Sequence, residues 1–187
     1  GQMLIGAGDV FIASKFSTQS VASIGVANGV INPIFLFGIG LMMGVSPCLA
    51  MVRGKGENSR DSLVTIIVYS GVCGILLSCL TVWINQFVPS MGFKEELIVS
   101  IQKYISIVAW SFPFAIIFQG IKEYLQSYED VFFANALSMI AVLFNLVANY
   151  ILVFGFNDFS GYGEIGLAIA SFATRLFQFI IIIAYVI

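Results

Sequence analysis

The chain has 187 residues, of which 59% are hydrophobic and only 10% are charged, and its formal net charge is −2. Soluble domains usually carry about 25% charged residues, so the composition indicates a membrane protein whose first partner is the lipid bilayer. The negative balance argues against a nucleic-acid partner. The sequence contains no histidine, which disfavours zinc sites and imidazole catalysis.

Three long stretches carry no charged side chain: residues 21–52, 62–93 and 131–157. A transmembrane helix needs roughly 20 apolar residues, so each stretch is long enough to cross a bilayer. Together with the shorter apolar segments, they predict an all-α polytopic membrane protein with about six transmembrane helices. The predicted spans cover residues 1–14, 21–52, 62–88, 97–121 and 132–155, and the last begins near residue 164.

Prolines mark the expected irregularities of these helices. The second span is longer than one crossing requires, so we expect it to tilt or kink. Pro33 and Pro47 are the candidate kink points, since proline in a helix interior removes a backbone hydrogen bond and crowds the preceding turn. Pro113 lies inside the fourth span, where it is either a hinge or a tolerated kink.

Lysine and arginine predict the orientation of the spans. The loops after the second and fourth spans, residues 53–61 and 122–130, carry more basic residues than the other loops, which contain Lys15 and Lys94. The basic residues of the first group are Arg53, Lys55, Arg60 and Lys122. By the positive-inside rule these two loops are cytoplasmic, and the first span runs from inside to outside.

The ends of the sequence indicate a piece of a longer protein. The first residue is not methionine, and both ends lie within apolar stretches. We therefore expect residues 1–187 to form a single six-helix lobe that is truncated in its first and its last helix.

A single acid, Asp9, lies inside the first predicted span. An ionisable side chain in hydrocarbon is costly, so it is by default a functional-site hypothesis, here for an ion- or proton-coupled transporter. Counting 1.5 Å of rise per helical residue from the predicted outer ends places four polar side chains at a common depth of roughly 8–11 Å. These four are Asp9, Asn28, Asn149 and Ser171.

Three further polar residues lie one helical turn from members of this set, because positions i and i+4 share a helix face. They are Asn32 after Asn28, Asn145 before Asn149, and Arg175 after Ser171.

Two coupling ions suit this grouping. Sodium prefers oxygen ligands, which one carboxylate with amide and hydroxyl oxygens provides. A carboxyl group in a low-dielectric cavity can instead load and release a proton. Arg175 could pair with Asp9 and act against this, and the sequence leaves the choice of role open.

Structural interpretations compete with the functional ones. Asn28 and Asn32 could simply hydrogen-bond neighbouring helices, and Asp9 could be an acid held in a structural salt bridge. Four aromatic residues are interpreted as interface anchors or as lining of the spans. They are Trp83, Tyr104, Trp110 and Tyr150.

Three stretches, taken in order, carry a family resemblance. Residues 8–57 read GDVFIASKFSTQSVASIGVANGVINPIFLFGIGLMMGVSPCLAMVRGKGE, residues 143–155 read LFNLVANYILVFG, and residues 163–171 read GEIGLAIAS. The three together resemble spans one, two, five and six of the multidrug and toxic compound extrusion (MATE) family, in particular its bacterial NorM-like members. Gln119 and Lys122 occupy positions where the family often has a glutamine and a basic residue.

The resemblance implies a secondary active antiporter built from two six-helix lobes around a V-shaped cavity. Such proteins export organic, often cationic, drugs in exchange for Na⁺ or H⁺. The chain would be the N-lobe, partnered by the C-terminal lobe of the same protein in a bacterial inner membrane. No cofactor is expected besides the coupling ion, and small organic substrates are the expected ligands.

The same resemblance implies a set of ion-coupling residues. This set is Asp9, Asn145, Asn149 and Ser171, of which the first three are possible Na⁺ ligands. The candidates for the substrate cavity are Asn28, Asn32 and Arg175, from their depth and helix faces, together with Gln119. Some members have an acid where this chain has Asn149, so a single acid is left here, which favours lower cation affinity or single-proton chemistry.

The alternative function is a flippase of the same superfamily that moves lipid-linked precursors. Its cavity would need several basic residues to meet a pyrophosphate, whereas Arg175 is the one base expected inside the membrane. An enzyme is not expected, because the sequence has neither a G-x-S-x-G nor an H-E-x-x-H motif.

Overall fold

The computed structural model describes residues 2–54, 59–157 and 160–187, and it is almost entirely helical. Lys55, one of the basic residues used above for orientation, lies outside the described part. A 3₁₀ turn, Val88–Met91, precedes the fifth helix. The α-helices are α1 (Gln2–Phe16), α2 (Thr18–Met43), α3 (Val45–Gly54), α4 (Ser59–Asn85), α5 (Glu95–Ala109), α6 (Phe112–Ser127), α7 (Phe132–Phe154) and α8 (Glu164–Val186).

These helices confirm the predicted fold class of a polytopic, all-α membrane protein. Helices α4, α7 and α8, and the pair α2–α3 taken together, are each long and apolar enough to cross a bilayer. The pair α5–α6 meets the same criterion as one span with a bend of 43°. With the 15-residue α1, the described helices correspond to the six predicted spans.

Of the three prolines predicted to disturb the spans, two coincide with helix breaks. Helix α2 ends at Met43 and α3 begins at Val45. Pro47 explains this break, because its ring crowds the Met43 carbonyl four residues earlier and its backbone nitrogen has no hydrogen to donate to that carbonyl. Pro113 lies in the first turn of α6, just after the bend. Pro33 is accommodated inside α2, which continues past it.

The prediction of a loop at residues 122–130 is wrong for most of these residues. Helix α6 continues to Ser127, so residues 122–127 are its last turns. Lysine, glutamate, leucine and glutamine are all good helix formers, so a polar composition near the end of a span does not stop the helix. Likewise residues 59–61, predicted as loop, begin α4.

The helices pack around two apolar clusters. The larger joins α1, α2, α5, α6 and α8 through side chains such as Ile12, Ile31 and Ile105, and the smaller joins α6, α7 and α8 around Phe118 and Ile182. Many large apolar side chains are exposed on the outer faces, among them Phe37, Leu76 and Leu143. Such extensive exposed apolar surface suits contact with lipid, and it leaves the polar side chains of the spans facing inward.

Candidate functional site

The carboxylate of Asp9 is the centre of a buried hydrogen-bond cluster. Only 1% of the residue is exposed. Its Oδ2 accepts hydrogen bonds from the Tyr104 hydroxyl at 2.6 Å and the Ser171 hydroxyl at 2.7 Å, and its Oδ1 accepts one from Asn149 Nδ2 at 2.8 Å. We call Asp9, Tyr104, Asn149 and Ser171 the Asp9 cluster. It joins four helices, α1, α5, α7 and α8, through one acid.

The periodicity of α7 and α8 explains why these side chains face inward. The buried residues of α7 include Leu137, Ala141, Asn145 and Asn149, spaced four residues apart along one face, as expected for a helix packed on one side. Ser171 belongs to the corresponding buried face of α8. The apolar members of these faces fix the rotation of each helix and thereby aim the polar members at Asp9.

A second layer of amides lies behind Asn149. Asn149 Nδ2 also donates to Asn145 Oδ1 at 3.1 Å, and Asn145 Nδ2 donates to Thr174 Oγ1 at 3.4 Å. Asn149 Oδ1 is buried and has no hydrogen-bond partner within the part of the chain that the structure describes. A buried amide oxygen without a donor costs free energy, so this atom is a ready acceptor for a cation or a proton donor next to Asp9.

A cavity of about 430 Å³ opens beside the Asp9 cluster. Asp9, Tyr104, Ser171, Asn28 and Asn32 are among the residues that line it. The structure therefore brings two of the predicted ion-coupling residues, Asp9 and Ser171, to the same cavity as Asn28 and Asn32, whereas Asn145 and Asn149 are not part of its lining. Volumes of roughly 300–1,000 Å³ are typical of small-molecule sites.

Arg175 also lines this cavity, but it forms its hydrogen bond with Ser111 and not with Asp9. Its Nη1 donates to the Ser111 hydroxyl at 2.7 Å. The guanidinium lies over the ring of Phe35, 4.7 Å from the centroid, and 5.7 Å from that of Phe112. A guanidinium over aromatic faces is stabilised by the ring quadrupoles, which accounts for a buried cation that makes no direct contact with Asp9.

Gln119 lies away from this cavity. It is in the middle of α6, and its amide donates to Glu123 Oε1 one turn further along the helix at 2.8 Å. The bend between α5 and α6 and the length of α6 beyond it carry Gln119 past the residues that line the cavity. A contact of Gln119 with substrate stays a prediction.

Sequence reasoning missed three contributors to the site. Tyr104 was interpreted as an interface anchor or lining, yet it is 4% exposed and donates to Asp9. A depth count from the predicted start of the fourth span at residue 97 finds it, since seven residues place Tyr104 about 10 Å deep, at the level of Asp9. Ser111 and Thr174 gave no signal, because single hydroxyls are common in spans. Trp83, Trp110 and Tyr150 are exposed, as interface residues are expected to be.

The atoms available as ligands indicate which ions the site suits. Among the described residues, no three histidine, cysteine, aspartate or glutamate side chains come together as a metal site. The available ligands are one carboxylate with amide and hydroxyl oxygens, which suit a hard monovalent cation or a proton rather than a transition metal.

Comparison with known proteins identifies close similarities in sequence. The profile of the MatE family matches residues 1–151. The chain is 26% identical over 165 residues to a probable multidrug resistance protein NorM of Photorhabdus laumondii, and 24% identical over 182 residues to the multidrug resistance protein NorM of Aliivibrio fischeri. These alignments cover 87% and 95% of the chain but 36% and 39% of the relatives, so the chain spans about two fifths of their length.

Solved structures share the fold. A structure described as the inward-facing conformation of a multidrug resistance MATE family transporter of the MOP superfamily matches 100% of this chain with a TM-score of 0.90. An outward-facing structure described in the same terms matches 99% of it with a TM-score of 0.83. The identities are 19% and 20%, and the chain covers 42% and 43% of the two structures.

Proposed function

The chain belongs to the MatE family, and on that premise we propose that it forms the N-terminal lobe of a secondary antiporter. The complete protein, with a C-terminal lobe as partner, exports organic molecules in exchange for Na⁺ or H⁺. The observation that carries the proposal is the position of Asp9. It is a buried acid that borders a cavity of about 430 Å³ and is hydrogen-bonded by neutral groups alone.

The hydrogen bonds of Asp9 supply a mechanism for binding either ion. Three donors surround the carboxylate, as an ionised acid requires, because it can only accept. A proton on Asp9 Oδ1 turns that atom into a hydrogen-bond donor. Asn149 can accept this hydrogen bond after its side-chain amide rotates to present its own Oδ1. The same rotation presents an amide oxygen to a sodium ion. The unpartnered Oδ1 of Asn149 supports both versions, with Asn145 and Ser171 completing the coupling set.

Ion binding is coupled to conformation because the Asp9 cluster joins four helices. A ligand shifts a conformational equilibrium only by its differential affinity for the two states. An ion that neutralises Asp9 reduces the number of hydrogen bonds that its carboxylate needs from α5, α7 and α8. The ion therefore favours a conformation in which fewer hydrogen-bond donors surround Asp9. Substrate in the adjacent cavity, against Asn28 and Asn32, competes with the ion for the same space. Export in exchange for the ion follows from that competition.

The membrane and the orientation complete the proposal. The relatives from Photorhabdus and Aliivibrio favour a bacterial inner membrane. Arg53 and Arg60, at the facing ends of α3 and α4, and Lys122 in α6 support a cytoplasmic position for those ends. The cavity then receives substrate from the cytoplasmic side when the lobes open inward.

The test is ion-driven transport by the complete protein in proteoliposomes, with wild type compared with Asp9→Asn. A fluorescent organic dye is loaded, and either a sodium or a proton gradient is applied. We expect the gradient-driven flux to fall to background in Asp9→Asn, and the ion that drives wild type identifies the coupling ion. Asp61→Asn, the same change on an exposed acid at the start of α4, is the matched control and should retain full flux. Undiminished ion-driven flux in Asp9→Asn at equal reconstituted amounts would contradict the proposal.

A further inference from the structure

Arg175 is a buried cation that contacts no acidic side chain among the described residues, although Asp9 attracts it from a distance. It is 6% exposed, and its hydrogen bond goes to the neutral hydroxyl of Ser111. The Ser111 hydroxyl itself donates to the Val108 carbonyl at 2.5 Å, so towards Arg175 it acts as the acceptor. Burial of a charge without a counter-ion is costly, and the rings of Phe35 and Phe112 compensate only in part.

The guanidinium also has donors to spare. Arginine carries five N–H groups in a fixed planar fork. Arg175 Nε is buried and has no hydrogen-bond partner among the described residues. The two phenylalanine rings hold the plane of the group, and Arg175 is part of the cavity wall. A fixed, partly unsatisfied guanidinium at a cavity is preorganised to bind an oxyanion.

Asp9 does not supply that oxyanion. Asp9 and Arg175 are the two charged side chains among the described residues that line the cavity. Both oxygens of Asp9 already accept hydrogen bonds from Tyr104, Ser171 and Asn149. Asp9 therefore attracts Arg175 without contacting it, and the guanidinium keeps hydrogen-bonding capacity for a ligand.

We infer that Arg175 binds a carboxylate of the transported molecule, so that the substrates of this protein include organic acids or zwitterions that carry an apolar ring system. The inference rests on the proposed function and names its substrate class. A single guanidinium matches one carboxylate through two parallel hydrogen bonds, whereas a pyrophosphate would require further cations. Asn28 and Asn32 offer amide groups in the lining of the same cavity, and Phe35 offers an apolar contact.

The experiment uses two xanthene dyes that differ in one group, a free carboxylic acid and its ethyl ester. Binding of each dye to the complete protein is measured by fluorescence polarisation, and transport is measured in proteoliposomes. We expect wild type to bind the acid more tightly than the ester. A hydrogen-bonded ion pair is lost in Arg175→Gln, so its affinity for the acid should fall by about 10- to 100-fold, with a much smaller change for the ester.

Two further variants make the result specific to the guanidinium. Arg175→Lys keeps the charge without the fork and should lose part of the preference for the acid. Lys103→Gln removes an exposed positive charge from α5 outside the cavity and should leave the affinities for both dyes unchanged. An equal loss for the two dyes in Arg175→Gln would overturn the inference, because it would show a structural role for Arg175. Wild-type binding without preference for the acid would overturn it as well.

Competition separates the carboxylate from a lipid-linked phosphate. Farnesoate and farnesyl pyrophosphate are compared as competitors of the acid dye, and stronger competition by the pyrophosphate would overturn the inference in favour of a flippase. Failure of the proposed function is a separate result. Ion-driven ester transport that depends on Asp9 would uphold antiport even without a carboxylate site. Arg175-dependent binding of the acid without ion-driven flux would uphold the site and reject antiport.

Discussion

Asp9 and Arg175, two of the buried charged side chains of this lobe, border the same cavity but are stabilised in different ways. Asp9 accepts three hydrogen bonds from three other helices. Arg175 makes one hydrogen bond to a neutral hydroxyl and lies over two aromatic rings, with its Nε unpartnered within the described chain. Asp9 thus connects helices through hydrogen bonds, whereas Arg175 lines the cavity with a fixed guanidinium that can bind a ligand.

The difference indicates how the two residues respond to ligands. A cation that reaches Asp9 has to replace hydrogen bonds that the protein already makes, so its binding rearranges side chains on α5, α7 and α8. An anion that reaches Arg175 meets a guanidinium with a single hydrogen bond among the described residues, so binding there breaks fewer hydrogen bonds than binding at Asp9. We therefore expect conformational coupling to depend on Asp9, and substrate selection to depend on Arg175.

The largest expected effect is the loss of stability when Asp9 is replaced, compared with the same replacement of Arg175. Asp9→Leu leaves the Tyr104 and Ser171 hydroxyls and the Asn149 amide without their acceptor, and each buried donor of this kind costs about 1–3 kcal/mol. We expect Asp9→Leu to lower the free energy of unfolding by about 3 kcal/mol or more. Arg175→Leu breaks one hydrogen bond to a neutral group and removes a buried charge, so its cost should be about 1 kcal/mol or less.

The measurement is the thermal or denaturant midpoint of the complete protein in detergent, for both variants and wild type. Arg175→Leu is the internal comparison, because it replaces a larger charged side chain with the same apolar one in the same cavity. Equal destabilisation by the two substitutions would show that the Asp9 cluster does not stabilise the packing of its helices.

A smaller effect is expected from Tyr104→Phe, which removes one of three donors from Asp9. The hydrogen bond from Tyr104 stabilises the ion-free carboxylate, so without it the coupling ion should bind more tightly. Loss of a hydrogen bond to a charged group corresponds to about a tenfold fall in the half-saturating ion concentration. The check is an ion titration of dye transport, with Tyr150→Phe, an exposed tyrosine on α7, as matched control. Weaker ion binding in Tyr104→Phe would instead make the hydroxyl oxygen an ion ligand.

The six spans and the convergence on Asp9 could be predicted from the sequence, because both depend on local regularities. The uncharged stretches define the spans, and the spacing of Asn145 and Asn149 puts both amides on the buried face of α7. A count of depth along helices of known rise then brings Ser171 to the level of Asp9. None of these steps requires knowledge of how one helix is rotated against another.

The contacts that were missed depend on that rotation. Tyr104 reaches Asp9 only because the apolar residues Ile101, Ile105 and Val108 turn its face of α5 into the core. Ser111, which accepts the hydrogen bond of Arg175, lies at the break where the chain bends by 43° between α5 and α6. Periodicity identifies a buried face, but the pairing of two such faces is decided by packing across the whole lobe.

The smallest predicted effect concerns Ser111, which positions Arg175 without binding substrate itself. Ser111→Ala removes the acceptor of Arg175 Nη1 and leaves the two phenylalanine rings to hold the guanidinium. A hydrogen bond of this kind contributes about 1 kcal/mol, so affinity for the acid dye should fall by about fivefold. Ser138→Ala removes a buried hydroxyl from α7, where it donates to Ala134 O at 2.8 Å, and should leave that affinity unchanged. An effect of Ser111→Ala as large as that of Arg175→Gln would mean that the hydroxyl, rather than the guanidinium, recognises the carboxylate. A distinctly smaller effect, confined to the acid dye, is what a positioning role requires, because the charge that attracts the ligand is still present and only its orientation is less fixed.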